Sequence, residues 1–148
     1  MIQIRDCTEA DFEQIVGLLS QLWPDTQLDT QQLKEVFTRG LSSSHQRYIC
    51  ATINSKVIGF CSLTVKNNLW QQGYLGHIDE LVVNEQNRGL GVGSQLLDRI
   101  VEIARQMGCR RVELDSAFHR DKGHKFYEQR GFEKRAYLFS KQLDKREQ

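Results

Sequence analysis

The chain has 148 residues, and its twenty Lys plus Arg nearly balance nineteen Asp plus Glu, with no basic or acidic block. That length suits a single domain over 1–148 with one substantial core, and the charge balance argues against a dedicated nucleic-acid or membrane-surface partner. No stretch reaches the apolar length of a membrane span, and MIQIRDCTEADFEQI lacks the apolar segment of a signal peptide, so the reading is a cytoplasmic, reduced protein.

Along the chain, IQIRD alternates and predicts a first strand. Thr8 resembles an N-cap with Asp11 three residues on, before Phe12, Ile15, Val16, Leu19 and Leu22 recur at helical spacing. A second helix is expected from Asp29 or Thr30, burying Leu33, Val36 and Phe37 and stopping at Gly40. RYICATI, the turn NSK and VIGFCSLTV read as a hairpin. After the polar NNLWQQG loop, YLGHIDELVV is a strand ending at Asn84.

The next helix, SQLLDRIVEIARQMG, places Leu96, Leu97, Ile100, Val101, Ala104 and Met107 on one face. RRVELDS is a strand, DKGHKFYEQRG a short helix ending at Gly131, and FEKRAYLFSKQL is expected to supply one or two closing strands. The order is β-α-α-β-β-β-α-β-α-β, with room for one more strand. It fits an α+β sandwich: a mostly antiparallel mixed sheet of six to seven strands with about four helices on both faces. Cys7, Cys50, Cys61 and Cys109 form no C-x-x-C pair, and are read as free thiols with no metal site.

Residues 86–94 read QNRGLGVGS, three alternate glycines between a strand and a helix. N–H groups at a helix start have no intrahelical acceptor, the helix dipole favours negative charge there, and glycine permits close approach. Several amides could therefore converge on one phosphate or pyrophosphate. G-x-G-x-x-G is excluded because Ser94 and Leu96 stand where its last glycine belongs, and the P-loop's Gly-Lys-Ser/Thr is missing. A plain turn would need one glycine rather than three.

QNRGLG and RGLGVG both fit Q/R-x-x-G-x-G/A, and with HIDELVV before them and HKFYEQRGF after, the chain resembles the GNAT superfamily of acyl-CoA-dependent N-acyltransferases from residue 2 to about 143. IDELVV, RGLGVGSQLL and HKFY are similar to aminoalkylphosphonate N-acetyltransferases; QLWP and LFSK are similar to aminoglycoside 6′-N-acetyltransferases. The resemblance implies acetyl-CoA as cosubstrate. It makes Arg88, Gly89, Leu90, Gly91, Val92, Gly93 and Ser94 the pyrophosphate loop, with Leu81, Val82 and Val83 offering backbone groups to the pantetheine arm. It also implies a possible homodimer.

Acetyl transfer to a primary amine needs a base, because an alkylammonium of pKa about 10.4 is protonated at neutral pH. It needs a donor for the oxyanion and an acid for the departing thiolate. The resemblance puts Tyr127 beside the coenzyme sulfur, and a phenol near pKa 10 suits proton donation to a thiolate. For the base, His77 and Asp79 share one strand face by alternation, with Leu81 and Val83 continuing it and Glu80 opposite. Glu80 stays a third candidate, since a bulge would change the facing.

In the resembling family the acceptor pocket draws on the first helices, the loop before the fourth strand and the C-terminal part. Here these offer Trp23, Trp70, Tyr74, His119 and Arg120, in a junction FHRDKGH that is cationic despite Asp121, with His124 in it and Arg47 as a further cation. Such cations can grip an anionic group on the substrate. The expected acceptor is a small-molecule primary amine bearing an anionic group, with a protein N-terminus or lysine still open. The rival reading is a non-catalytic acyl-CoA-binding module, which needs the glycine loop but neither acid nor base.

Overall fold

The computed structural model describes residues 1–144. Met1–Glu113 make up one compact unit, and the chain from Leu114 onward makes up a second.

In the first unit, β1 (Gln3–Asp6), β2 (Gln46–Ile53), β3 (Lys56–Asn68), β4 (Gly73–Val83) and β5 (Cys109–Leu114) lie side by side in sequence order. The first four pair antiparallel. A Cβ on Gly73 would touch Arg110 and one on Gly76 would touch Cys109, so β5 starts beside the start of β4 and the two run the same way. The sheet is therefore mixed. The β2–β3 turn is Asn54–Ser55, both at positive φ, the handedness a two-residue hairpin requires.

Helices α1 (Phe12–Leu22), α2 (Thr30–Ser42) and α3 (Val92–Gln106) cover both faces of this sheet. Cys50 and Phe60 are paired across β2 and β3, and their side chains join Ile15, Leu18, Leu19 and Phe37 of α1 and α2 in one buried cluster. Gly59 faces the other way, where Val92 and Leu96 of α3 would crowd any Cβ placed on it. Thr8 and Asp11 form the expected capping box, on a short 3-10 turn that runs directly into α1. Asp11 is buried and clasped by Arg5 through two 2.8 Å bonds.

Two helix details differ from expectation. Helix α2 runs through Gly40 to Ser42, because Gly40 makes room for a neighbour and does not stop the helix: a Cβ there would overlap the Tyr48 ring and hydroxyl. Val36 is exposed and only Phe37 of the predicted trio is fully buried.

The second unit contains α4 (Asp121–Glu128) and the turn closed by Gly131 at φ +87°. Against the expected six to seven strands, the described residues form five. FEKRAYLFSKQL forms no strand among the described residues, and Tyr137, Leu138 and Phe139 are exposed. A strand exists through its ladder, and among the described residues of this unit α4 is the one complete regular element, so these apolar residues have no strand of their own unit beside them there.

Candidate active site

The centre of β4 carries the polar groups. Register slips between Ser62 and Leu63: Leu63 pairs with Ile78, Ser62 pairs with Glu80, and Asp79 is the extra residue of a bulge. Paired residues share a face, so Glu80 follows His77 onto the α1/α2 side, and Leu81 and Val83 turn to the α3 side. This corrects the alternation read from sequence, which put Glu80 alone and kept Leu81 and Val83 with His77.

The result is two polar rows across one face of the sheet. In the first, His77 Nδ1 meets Asp79 Oδ1 at 2.7 Å, and Thr64 Oγ1 donates to Asp79 Oδ2 at 2.5 Å. In the second, Ser62 Oγ donates to Glu80 Oε1 at 2.5 Å and accepts the Glu80 N–H at 3.0 Å. Tyr48, paired with Ser62 across the strands, is stacked on Phe37 with ring centroids 5.3 Å apart.

Burial pushes the Glu80 carboxyl above its ordinary range; the Ser62 bond and His77 oppose the shift, while Asp79 adds to it. Burial also raises the Tyr48 phenol, reinforced by the charges of Glu80 and Asp79. Sequence reasoning missed Ser62, Thr64 and Tyr48. Their roles depend on strand register, which no local motif records.

Beyond this patch, β4 is eleven residues long against six for β5, so its last residues run on past the end of its neighbour. The Asn84 N–H donates to Ile58 O at 2.8 Å. By the alternation of an antiparallel ladder, the peptide groups of Val82 then face β3, and those of Leu81 and Val83 face outward. Of the three residues expected to offer backbone groups, Val82 has its own groups committed to the sheet. The Val83 carbonyl accepts from Arg88 Nε at 3.2 Å and keeps a second lone pair.

The glycine loop follows at once. Its lead-in amides are served by the protein: Gln86 N–H by Asn84 Oδ1, Asn87 N–H by the Asn84 carbonyl. Gly89 and Gly91 sit at φ +83° and +81°, and an added Cβ at either would point into open space. Gly91 is the N-cap of α3 and, lacking a side chain, cannot cap it; side-chain capping is seen instead at α2, where Asp29 accepts from the Gln31 and Gln32 N–H groups. Val92, Gly93 and Ser94 form the first turn of α3, whose N–H groups have no intrahelical acceptor, and Leu90 is exposed in the loop. Left-handed backbone, open space and a capless helix start together fit a diphosphate.

The other expected residues belong to several elements of the two units. Trp23 ends α1 and packs on its core cluster. Trp70 is exposed beneath the Arg111 guanidinium, 4.9 Å from its ring centre. Tyr74 pairs with Asn67 and lies against Gly108, on the face opposite His77, so its assignment beside the acceptor is not supported by the register. Arg47 is paired with Asp6 at 2.8 Å. In the second unit, His119 is exposed, Arg120 precedes α4, and His124 bonds the Ala117 carbonyl at 2.8 Å. Tyr127 lies edge-on to Phe126 and Phe132, at 5.3 and 5.8 Å between centroids.

Residues 6–132 match the family model described as Acetyltransferase (GNAT) family. The chain belongs to the GNAT acetyltransferase family. Like its relatives, this GNAT chain is an N-acetyltransferase, and acetyl-CoA is the family's acyl donor. It is 33% identical over 141 residues to the aminoalkylphosphonate N-acetyltransferase of Salmonella typhimurium, spanning 95% of this chain and 91% of that one. It is 30% identical to the glucosamine 6-phosphate N-acetyltransferase of Trypanosoma brucei brucei, spanning 97% and 95%. The fold matches an aminoglycoside N-acetyltransferase solved in complex with CoA, at a TM-score of 0.83 and 20% identity over 97% of this chain and 96% of that one. No helix of the described residues is long and apolar enough to cross a membrane.

Proposed function

We propose that this protein transfers the acetyl group of acetyl-CoA to the primary amine of a small molecule by direct attack in a ternary complex. The observation that carries the reading is the sequence of features along one stretch of chain. Polar groups at 77–80 are followed by outward peptide groups at Leu81 and Val83, then by the left-handed glycines 89 and 91 that open α3 without a side-chain cap. A donor laid along this path would have its diphosphate on the glycine loop and its pantetheine arm against the free edge of β4, in the manner of an added strand.

Acetyl-CoA supplies an activated acyl thioester; the chain supplies positioning and proton transfer. Asp79 holds the Nδ1 proton of His77, which leaves Nε2 as the basic nitrogen for the incoming ammonium. Glu80, half-buried and fixed by Ser62, offers a second carboxylate that attracts the ammonium before deprotonation. Tyr127 is the acid for the departing thiolate. Trp23 walls the acceptor side, with Trp70 a more distant candidate.

The acceptor we propose is a small primary amine bearing a phosphonate or phosphate. The two relatives named above, at 33% and 30% identity, carry names that specify such substrates. His119 and Arg120 are the candidate cations for the anionic group. A cytoplasmic site of action and a homodimer belong to the same proposal.

A thiol-release assay with acetyl-CoA tests it against aminoalkylphosphonates, amino-sugar phosphates, aminoglycosides and lysine peptides. Release dependent on a phosphorus-bearing amine supports the reading. CoA binding with no acceptor-dependent release across the panel would favour a non-catalytic module. Tyr127→Phe should lower turnover far more than CoA affinity.

A further inference from the structure

Helix α1 reaches across to the start of the glycine loop through one side chain. Gln21, in its last turn, accepts the Glu85 N–H on Oε1 at 3.0 Å, and its Nε2 lies 3.5 Å from Asn84 Oδ1. Asn84 is the residue that ends the ladder, with its N–H on Ile58 O, and that caps the following 3-10 turn through the Gln86 N–H. One amide thus grips both residues of the hinge between β4 and the loop.

From this geometry we infer that Gln21 is a positioning residue for the diphosphate-binding loop, acting through Asn84 and Glu85 without touching ligand. The inference rests on the acyl-CoA reading above and deepens it. Glycines at 89 and 91 leave the loop intrinsically free, so its amides converge only if the chain entering Arg88 is held in one direction. The internal bonds of the turn fix its shape. The Asn84 N–H ties the turn to β3 within the sheet, and the bonds from Gln21 tie it to helix α1, 64 residues away in sequence. Trp23 follows Gln21 by two residues, so a molecule resting on the end of α1 would act on the same turn that orients the loop. Acceptor and donor affinities would then be coupled, each raising the other by the same factor.

The test compares wild type with Gln21→Met and with Gln21→Asn, which keeps the amide but draws it back by one methylene. Two hydrogen bonds of ordinary net strength correspond to roughly a tenfold change in affinity. Calorimetry should show CoA binding about tenfold weaker in both variants, with KM for acetyl-CoA raised about as much and kcat within about twofold. Acetyl-pantetheine, which lacks the diphosphate, should be used equally well by variants and wild type. Equal losses on both donors would reduce Gln21 to a general structural role and overturn the inference. Unchanged CoA affinity would overturn it too, leaving the acyl-CoA reading intact. Wild-type protein that binds no CoA would remove the reading itself.

Discussion

Ser62 and Glu80 bond each other twice: the serine hydroxyl donates to the carboxylate, and the backbone N–H of Glu80 donates back to the same hydroxyl oxygen. The pair sits one residue beyond the Asp79 bulge, and it holds a half-buried carboxyl on the face where His77 and Asp79 lie. Glu80→Gln keeps an acceptor for Ser62 and removes the charge. A carboxyl raised by burial favours folding in its protonated form. Its contribution is full below the unfolded value of about 4.3 and is lost as pH rises through the folded value. At pH 7.5 the variant should therefore melt at or above the wild-type temperature while losing acetyl transfer. Ser62→Ala instead strips a donor from the carboxylate and should cost about 1–3 kcal/mol. Thermal unfolding across pH 4–8 checks both signs, and a Glu80→Gln melting point well below wild type at neutral pH would contradict them.

The His77–Asp79 contact of 2.7 Å predicts two different changes in the pH–rate profile. His77→Gln should remove the acid limb of kcat/KM. Asp79→Asn removes a charge that favours the imidazolium, and should move that limb to lower pH while reducing the plateau. Profiles that coincide with wild type in both variants would place the base on another residue.

Gly91 separates fold from binding. At φ +81° an alanine is strained by about 1–2 kcal/mol, while its methyl would meet no protein atom. Gly91→Ala should lower stability by no more than this, yet weaken CoA binding by at least about tenfold, because the methyl enters the space above the amides. Calorimetry beside thermal unfolding distinguishes the two losses. A variant that loses stability but binds CoA normally would show that the glycine serves the turn alone.

Asp11 carries the clearest acid-sensitive contribution to stability. The Arg5 guanidinium holds its carboxyl below the usual range, with Thr8 N–H adding a bond and burial opposing. A depressed carboxyl stabilises the fold above its unfolded value of about 3.9, and that contribution fades as pH falls through the folded value. Arg5 is 37% exposed, so screening reduces what a fully buried pair would give. Asp11→Asn should lose about 1–2 kcal/mol at pH 7, with the gap to wild type closing toward pH 3. Urea unfolding at both pH values measures it.

Local patterns carried most of the architecture. The apolar spacing of α1 and α3, the Asn-Ser hairpin and the Asp29 cap each produced the element expected, in the expected order through Gly131. Two features depended on partners that no window of sequence contains. The Asp79 bulge is a mismatch between β3 and β4 that emerges only on pairing, and it reassigned Glu80, Leu81 and Val83 to new faces. The apolar residues after Phe132 had strand-like composition but form no ladder among the described residues. Gly40 failed as a stop for a related reason: its small size serves Tyr48, which lies on a strand. Along the glycine loop, by contrast, the demand for positive φ is local, and the residue type reported it directly.

Because β4 outlasts β5, the free edge at Leu81 and Val83 is made of main chain. Every residue type presents the same carbonyl there, and every type except proline the same N–H. Most point mutations at these positions would therefore leave untouched the atoms proposed to meet the donor. The proposed acceptor side has no such insulation, since it is built of side chains that one codon change can replace. Donor choice would then stay constant under drift while acceptor choice shifted, and a proline scan of 81 and 83 would expose the difference.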